Sequence, residues 1–482
     1  MIDFGGGMYF INKLKINKEI IGVVIFMVST FFQRGLGLIT TPIFTRILTS
    51  YDYGIVSTYN TWSGVLSVIF TLSIAANVFN TGLIKFKDER NQFVSSMIGL
   101  TFILVCFGFF LISCFKTKIT SITGLEYKYY ILLFTNMFFN VVYGFWGLCA
   151  KFDGKYINVV IVNLIISIIS IFISIISIVK INYDTAFIKI FMESLPSNIF
   201  ALGLIFYFLC KSKCIFIKKY WEYVLLFCIP LIPHYMSNHL LNQADRIMIT
   251  SICGADKTGI YTIAYKIPEI LNILWSCISA VFIPWLYKKL DKNESIEVRK
   301  FNNILLIGVS VVTFGTILSG PEVIQVLSPE EYWEGKYLIP PLIIGYSGLF
   351  VCLICSHIEL FYKKNYFITF ITVVAAMINI FLNYFLIPKY GYMIAAFTTY
   401  ICYFIMLVLH MFNIRRLKLN VFIDLKLAFI MFIFNTLNGM IMLFFYDKIL
   451  IRYTILSVLG IICSFKYKKI IEFFKKIKKI NS

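Results

Sequence analysis

Four cations stand inside stretches of chain that are otherwise apolar: Arg34, Lys189, Arg246 and Lys266. A charge at the centre of a membrane-crossing helix costs about 2.5 kcal/mol or more, so each of them needs a partner, a wet cavity or a ligand. The spacing around them points to cavities. Thr30, Arg34, Gly37, Thr41 and Thr45 recur every three or four residues, which is one face of a helix. His234, Asn238, Asn242 and Asp245 form a second stripe, with His239 and Arg246 on the strip beside it. Thr262, Lys266, Glu269, Asn272 and Ser276 form a third. Hydrocarbon does not solvate such faces, so they are expected to line water or to pair with one another. A cavity holding Arg34, Arg246 and Lys266 would be electropositive and would suit an anion, because arginine grips phosphate oxygens two at a time.

Local neutralisation is the competing account. Asp245 and Arg246 can offset each other or their neighbours, and Lys266 and Glu269 are spaced as a helical pair. Glu193 beside Lys189, and Glu359 near a helix end, either serve a coupling ion, sit at the interface or are paired. Arg46 precedes the turn "TSYDYG" and reads as an interfacial anchor that snorkels. "CLICSHIE" (352–359) has the letters of a metal site, yet such ligands normally sit in a loop with a second pair elsewhere. Neither a metal site nor a catalytic residue is expected.

The elements that must position these residues are membrane helices. The chain of 482 residues is 59% hydrophobic and only 14% charged, more apolar side chain than a water-soluble surface can hide. The apolar residues come in blocks of roughly 20, the length that spans a bilayer as a helix. We expect an all-α polytopic membrane protein of about fourteen spans: 20–46, 54–80, 93–115, 129–150, 157–179, 187–210, 222–252, 260–287, 301–320, 337–361, 366–387, 392–412, 426–446 and 449–465. Arg34 would then lie roughly 14 residues, about 21 Å, into the first span.

Charge tests that reading. With the N-terminus inside and the links alternating, lysine and arginine favour the inside links roughly three to one along the whole chain. Both ends are therefore expected on the inner side of the membrane. The same placement argues against a nucleic-acid role for the net charge of +20. The 12 cysteines fall mostly within apolar spans and read as free thiols. The basic N-terminal arm leads into a span too long for a cleaved signal peptide. Links are short, so no soluble domain is available for catalysis; the longest outside link (321–336) is acidic. The tail "KYKKIIEFFKKIKKINS" sets Ile470, Phe474 and Ile477 against lysines and reads as a basic amphipathic helix on lipid, or as an unstructured basic tail.

An internal repeat suggests two lobes. "RILTSYDYGIVSTY" (46–59) and "RIMITSICGADKTGIYTIAY" (246–265) share Arg-Ile, a polar turn, then Gly-Ile and a Tyr-bearing helix. They lie six spans apart, so two six-helix lobes of like orientation would face each other across a site. The expected division is 1–215 for helices 1–6, 216–415 for helices 7–12, 416–465 for two further helices, and 466–482 for the tail.

Three stretches carry a resemblance to a known family: "RGLGLITTPIFTRILTSYDYG", "NQADRIMITSICGADKTGIYTIAYKI" (242–267) and "NIFLNYFLIPKYGYMIAAFTTY" (379–400). They resemble the O-antigen and capsule flippases of the multidrug/oligosaccharidyl-lipid/polysaccharide exporter (MOP) superfamily, although "YMIAA" lacks an expected glycine. The resemblance implies a V-shaped, MATE-like pair of lobes plus two C-terminal helices. It implies a transporter without covalent chemistry that moves an undecaprenyl-pyrophosphate-linked oligosaccharide between leaflets. Arg34, Arg246 and Lys266, with Asn242, are the positions that would meet this isoprenoid-pyrophosphate-linked glycan. Asp245, Glu269, Glu193, His234 and His239 are the cavity or coupling candidates. Na⁺ or H⁺ coupling is implied without a residue-level site and with no cofactor. A polymerase and a chain-length regulator are the implied partners, alongside membrane lipids. The alternatives are a drug or cation exporter, which wants an acid where Arg34 stands, and a membrane-embedded glycan polymerase, which wants a large outer loop.

Overall fold

The computed structural model describes residues 35–454 and Ser457, apart from Asn77, Asn182, Lys213 and the side chains of His234, Asn238, Leu241, Ala280 and Asn365. Thr30, Arg34 and the C-terminal tail lie outside the described residues, as does most of the last expected span. No strand occurs among the described residues. The helices are α1 (35–47), α2 (Ser50–Phe70), α3 (Val78–Lys85), α4 (Arg90–Cys114), α5 (Lys116–Thr123) and α6 (Tyr127–Phe152). They continue as α7 (Tyr156–Lys180), α8 (Thr185–Ser212), α9 (Lys218–Cys228), α10 (Ile232–Cys253), α11 (Ala255–Lys266) and α12 (Glu269–Asp291). The last are α13 (Ser295–Leu327), α14 (Ile339–Phe361), α15 (Asn365–Tyr390), α16 (Ile394–Arg416), α17 (Leu425–Phe445) and α18 (449–454).

Nine of these helices are long and apolar enough to cross a membrane, or ten if the bent α12 counts as one span. Three expected spans are broken. Pro230 and Pro233 divide the seventh into α9 and α10 around a 3₁₀ turn, Ile229–Leu231; proline supplies no N–H and crowds the preceding turn. Pro268 likewise separates α11 from α12. The second breaks after Phe70, where Leu72 and Ser73 take left-handed φ angles of 51° and 46°. No proline or glycine marks that break in the sequence.

Two buried clusters lie in the first part of the chain. One joins Phe79, Phe93, Phe145 and Phe208, with Phe79 and Phe145 stacked at 4.3 Å between centroids. The other joins Tyr59, Leu133, Phe134 and Ile190. A third, larger cluster centres on α14, the most enclosed helix, flanked by α13, α16 and α17. Tyr220, Val224 and Cys228 of α9 belong to the first of these clusters. α9 thus packs against residues of the first part of the chain. Outward faces of α7 and α8 are apolar, with Phe206 73% and Leu202 60% exposed, as a hydrocarbon solvent requires.

The lobes meet where the internal repeat predicts a correspondence. Thr49 caps α2 by accepting from the Asp52 N–H, and Gly254, at φ 99°, turns the chain into α11. The two helices then cross at glycines. A methyl on Gly54 would lie 1.7 Å from the Ala255 carbonyl oxygen, and one on Gly259 would lie 2.1 Å from the Ser50 carbonyl oxygen. Ser50 and Ala255 hold equivalent places in the repeat, so the contact is reciprocal. The turn Glu330–Leu338 packs over the same end, with Gly335 against Ile260 and Ala264.

Candidate functional site

Beyond the glycine crossing, α1, α2, α8, α10, α11 and α12 enclose a cavity of about 370 Å³ between the lobes. α1 contributes Gly37, Thr40 and Thr41, whose hydroxyls satisfy themselves on carbonyls one turn back; Thr41 donates to Gly37 O at 2.6 Å. α2 contributes Ser57, Asn60 and Thr61 from the face that follows the crossing.

Three cations converge on this space. Arg246 on α10 is buried, lies 4.5 Å over the Tyr265 ring, donates to Gln243 Oε1, and has Glu269 Oε1 3.8 Å away. Its Nε is buried without a hydrogen-bond partner among the described residues. Lys266 at the end of α11 donates to Thr41 Oγ1 at 2.8 Å, bridging the lobes. Lys189 on α8 pairs with Glu193 one turn on and lies 4.5 Å over the Phe44 ring. With Glu193 and Glu269 as the facing acids, the lining carries one more positive than negative charge.

The expected residues divide as follows. Arg246, Lys266, Glu269 and Glu193 share the cavity. Arg34 and the His234 side chain lie outside what is described. Asn242 and His239 are half-buried on α10, and His239 Nδ1 lies 3.2 Å from where a methyl on Gly64 would stand. The Lys266–Glu269 pairing is replaced by two separate contacts, since Pro268 breaks the helix that would have aligned them. Lys189 is the cavity cation that the stripe reasoning left out. Its signal was present, a lysine inside an apolar span, but its i,i+4 acid drew attention to local pairing.

Asp245 lies elsewhere. It is 3% exposed, and it accepts from Tyr261 (2.8 Å), Thr399 (2.7 Å) and Asn383 (2.6 Å), tying α10 to α11, α15 and α16. It does not face Arg246. The stripe through Asn242 and Asp245 is thus a packing face at its end, and the cavity strip of α10 runs through Gln243 and Arg246. A parallel case is Glu359, fully buried, which holds His410 Nδ1 (3.1 Å) and the Asn413 amide (2.8 Å) between α14 and α16. Cys352 and Cys355 on the same helix are free, buried thiols.

The sequence model of the polysaccharide biosynthesis protein family matches residues 21–289, more than half of the chain. A capsular polysaccharide biosynthesis protein of Staphylococcus aureus, CapF, is 30% identical over 212 residues, 42% of this chain and 52% of that protein. The chain thus spans about half the length of this curated relative. Among solved structures, the lipid II flippase MurJ in its inward closed conformation gives a TM-score of 0.70 at 15% identity, over 93% of this chain and 100% of that one. An inward-facing multidrug resistance MATE family transporter of the MOP superfamily gives 0.61 at 10% identity, over 84% and 99%. At these identities the likeness establishes the fold: a two-lobed, multi-pass helical membrane protein.

Proposed function

The chain belongs to the polysaccharide biosynthesis protein family, and on that premise we propose that it is a flippase for an undecaprenyl-pyrophosphate-linked oligosaccharide. In this reading the two lobes close at the α2–α11 crossing in one state and part there in the other, exposing the cavity to one leaflet and then to the other. The observation that carries it is Arg246: a buried guanidinium at the lobe interface, facing a polar cavity, whose Nε has no partner among the described residues. A diphosphate would accept from that group, and Lys266 would reach it from the next helix. Glu193 and Glu269 hold the net field low, which favours release as well as capture. The same two acids are the groups on which Na⁺ or H⁺ coupling would act. We place the chain in a bacterial cytoplasmic membrane with both termini inside, on the strength of its charge bias. A polymerase and a chain-length regulator would act downstream.

A drug-cation exporter of the same fold would need an uncompensated acid on the first lobe. Among the described cavity residues, Glu193 is the first-lobe acid, and Lys189 neutralises it. The polymerase reading would need a large outer loop, and the longest link that the charge pattern assigns to the outside is 321–336.

The test pairs binding with biosynthesis. Purified protein should bind undecaprenyl pyrophosphate with an affinity that falls as salt rises, and Arg246→Ala should weaken it at least tenfold. Arg246→Lys should restore part of the loss, and in the producing cell Arg246→Ala should abolish surface glycan while the protein still inserts. Unchanged binding and normal glycan in Arg246→Ala would overturn the assignment.

A further inference from the structure

A second, larger cavity of about 630 Å³ lies away from the lobe interface, wholly within the first lobe. It opens where the start of α4, the end of α6, the start of α7 and the end of α8 come together. Lys87 and Arg90 reach it from the link 81–92, Lys155 from the link 151–156 and Lys211 from the end of α8. Charge patterning assigns all three basic links of this lobe to the inner face, and the fold gathers them into one pocket.

The cations are not equivalent. Arg90 is committed to the architecture: it donates to Asp153 Oδ1 at 2.5 Å and to the Cys149 carbonyl at 2.8 Å, fixing the α6–α7 turn. The three lysines are exposed and loosely held. Lys87 has no ion pair among the described residues, Lys155 stands 4.0 Å from Asp153, and Lys211 donates to the Tyr207 hydroxyl at 3.0 Å. Asp88 and Asp153 are the only carboxylates lining the space among the described residues, so cations exceed acids by two. The volume lies within the range of roughly 300–1,000 Å³ typical of small-molecule sites.

The surface leading away from this pocket is apolar. Ile157, Ile161 and Ile165 make one exposed row along α7 at one-turn spacing, and Ile199, Leu202 and Phe206 make another along α8. α7 and α8 pack against each other, and each carries its exposed row away from the pocket end. A basic pocket at the head of an apolar flank has the shape of an amphiphile with an anionic head, and basic recesses between helices on the inner face suit lipid phosphates.

We propose that this pocket binds the phosphate headgroup of an anionic membrane lipid, whose acyl chains lie along α7 and α8. The site is separate from the cavity at the lobe interface and does not depend on what that cavity carries. Its lysines supply the charge, while Arg90 and Asp153 hold the frame.

Native mass spectrometry of the full, delipidated chain tests it. Wild-type protein should retain phosphatidylglycerol at least fivefold over phosphatidylcholine, and Lys87→Gln/Lys155→Gln/Lys211→Gln should erase that preference. The single changes Lys87→Glu and Lys211→Glu, on exposed side chains, should each reduce it and serve if the triple variant folds poorly. A preference that survives all these variants overturns the site. Glycerol phosphate or inorganic phosphate binding as well as the lipid would also overturn it, by showing an anion site with no use for the apolar flank.

Discussion

Ser57 and Thr262 share a buried hydrogen bond of 2.7 Å between their hydroxyls, from equivalent positions in the two halves of the chain. Each lies three residues after the glycine, Gly54 or Gly259, at which α2 and α11 cross. The hydroxyl pair and the two glycines make one pseudo-symmetric joint, and the cavity with Arg246 and Lys266 begins on its far side.

That joint should report the conformational cycle. A leucine at Gly54 cannot coexist with an Ala255 oxygen 1.7 Å from its Cβ, so Gly54→Leu should drive the lobes apart at this end. In a chain stripped of its own cysteines, Ser57→Cys/Thr262→Cys should form a disulfide on mild oxidation. Transport should stop while the bridge is present and return with reductant, and adding Gly54→Leu should cut the yield of the bridge severalfold. Undiminished bridging in Gly54→Leu would mean that the crossing tolerates a side chain and is no gate.

Arg46 and Arg246 should separate cleanly on substitution. Arg46 is exposed and donates to carbonyls at helix ends, Pro42 at 2.8 Å and Val326 at 3.4 Å. An exposed contact of that kind is worth about 1 kcal/mol or less. Arg46→Ala should therefore keep most surface glycan and lower the melting temperature only slightly, whereas Arg246→Ala should lose the glycan. Equal losses would give Arg46 a role beyond tying α1 to α13.

The contrast shows what the sequence can and cannot disclose. Apolar blocks of bilayer length announce the helices, and the repeated Gly-Ile turn locates the lobe contact, because both are local patterns. Pro230, Pro233 and Pro268 are the local markers of two of the broken spans, although the apolar blocks 222–252 and 260–287 run through them and read as continuous. The break at Leu72 has no such marker. Nor does α10 reveal which of its polar strips is wet. Asp245 and Arg246 are adjacent, and what separates them is the supply of donors on α15 and α16, more than 130 residues away. Lys189 was hidden by the reverse effect, a local acid that made it look satisfied.

The start of α17 offers a pH-dependent test. Asp424 caps the helix by accepting from the Leu427 N–H at 3.1 Å and pairs with Arg299 at 2.8 Å. That arginine holds the Asp424 carboxyl below its ordinary range. Because the folded value is the lower one, the stabilisation is complete above the unfolded value of about 4 and is lost as pH falls through the folded one. Asp424→Ala should cost about 1 kcal/mol near neutral pH. Thermal melts of the two proteins should converge in strong acid; a gap that stays constant with pH would show that the carboxylate's charge plays no part.

Asp245 supplies the sharpest separation between a residue that binds and one that builds. Three donors from three helices, Tyr261, Asn383 and Thr399, point at one buried carboxyl. Asp245→Ala would leave them facing a void, and stranding buried polar groups should cost about 3 kcal/mol or more. Asp245→Asn should be much milder. Its oxygen can still accept from Asn383, and its amide can donate to the Tyr261 and Thr399 hydroxyls, which rotate to accept. The expected order of folded yield and melting temperature is therefore wild type, then Asn, then Ala well below. Arg246→Ala should melt close to wild type yet fail in transport. If Asp245→Asn instead melts like wild type but abolishes transport, the carboxylate's charge itself takes part in the cycle. The network around it would then belong to the coupling machinery rather than to the scaffold.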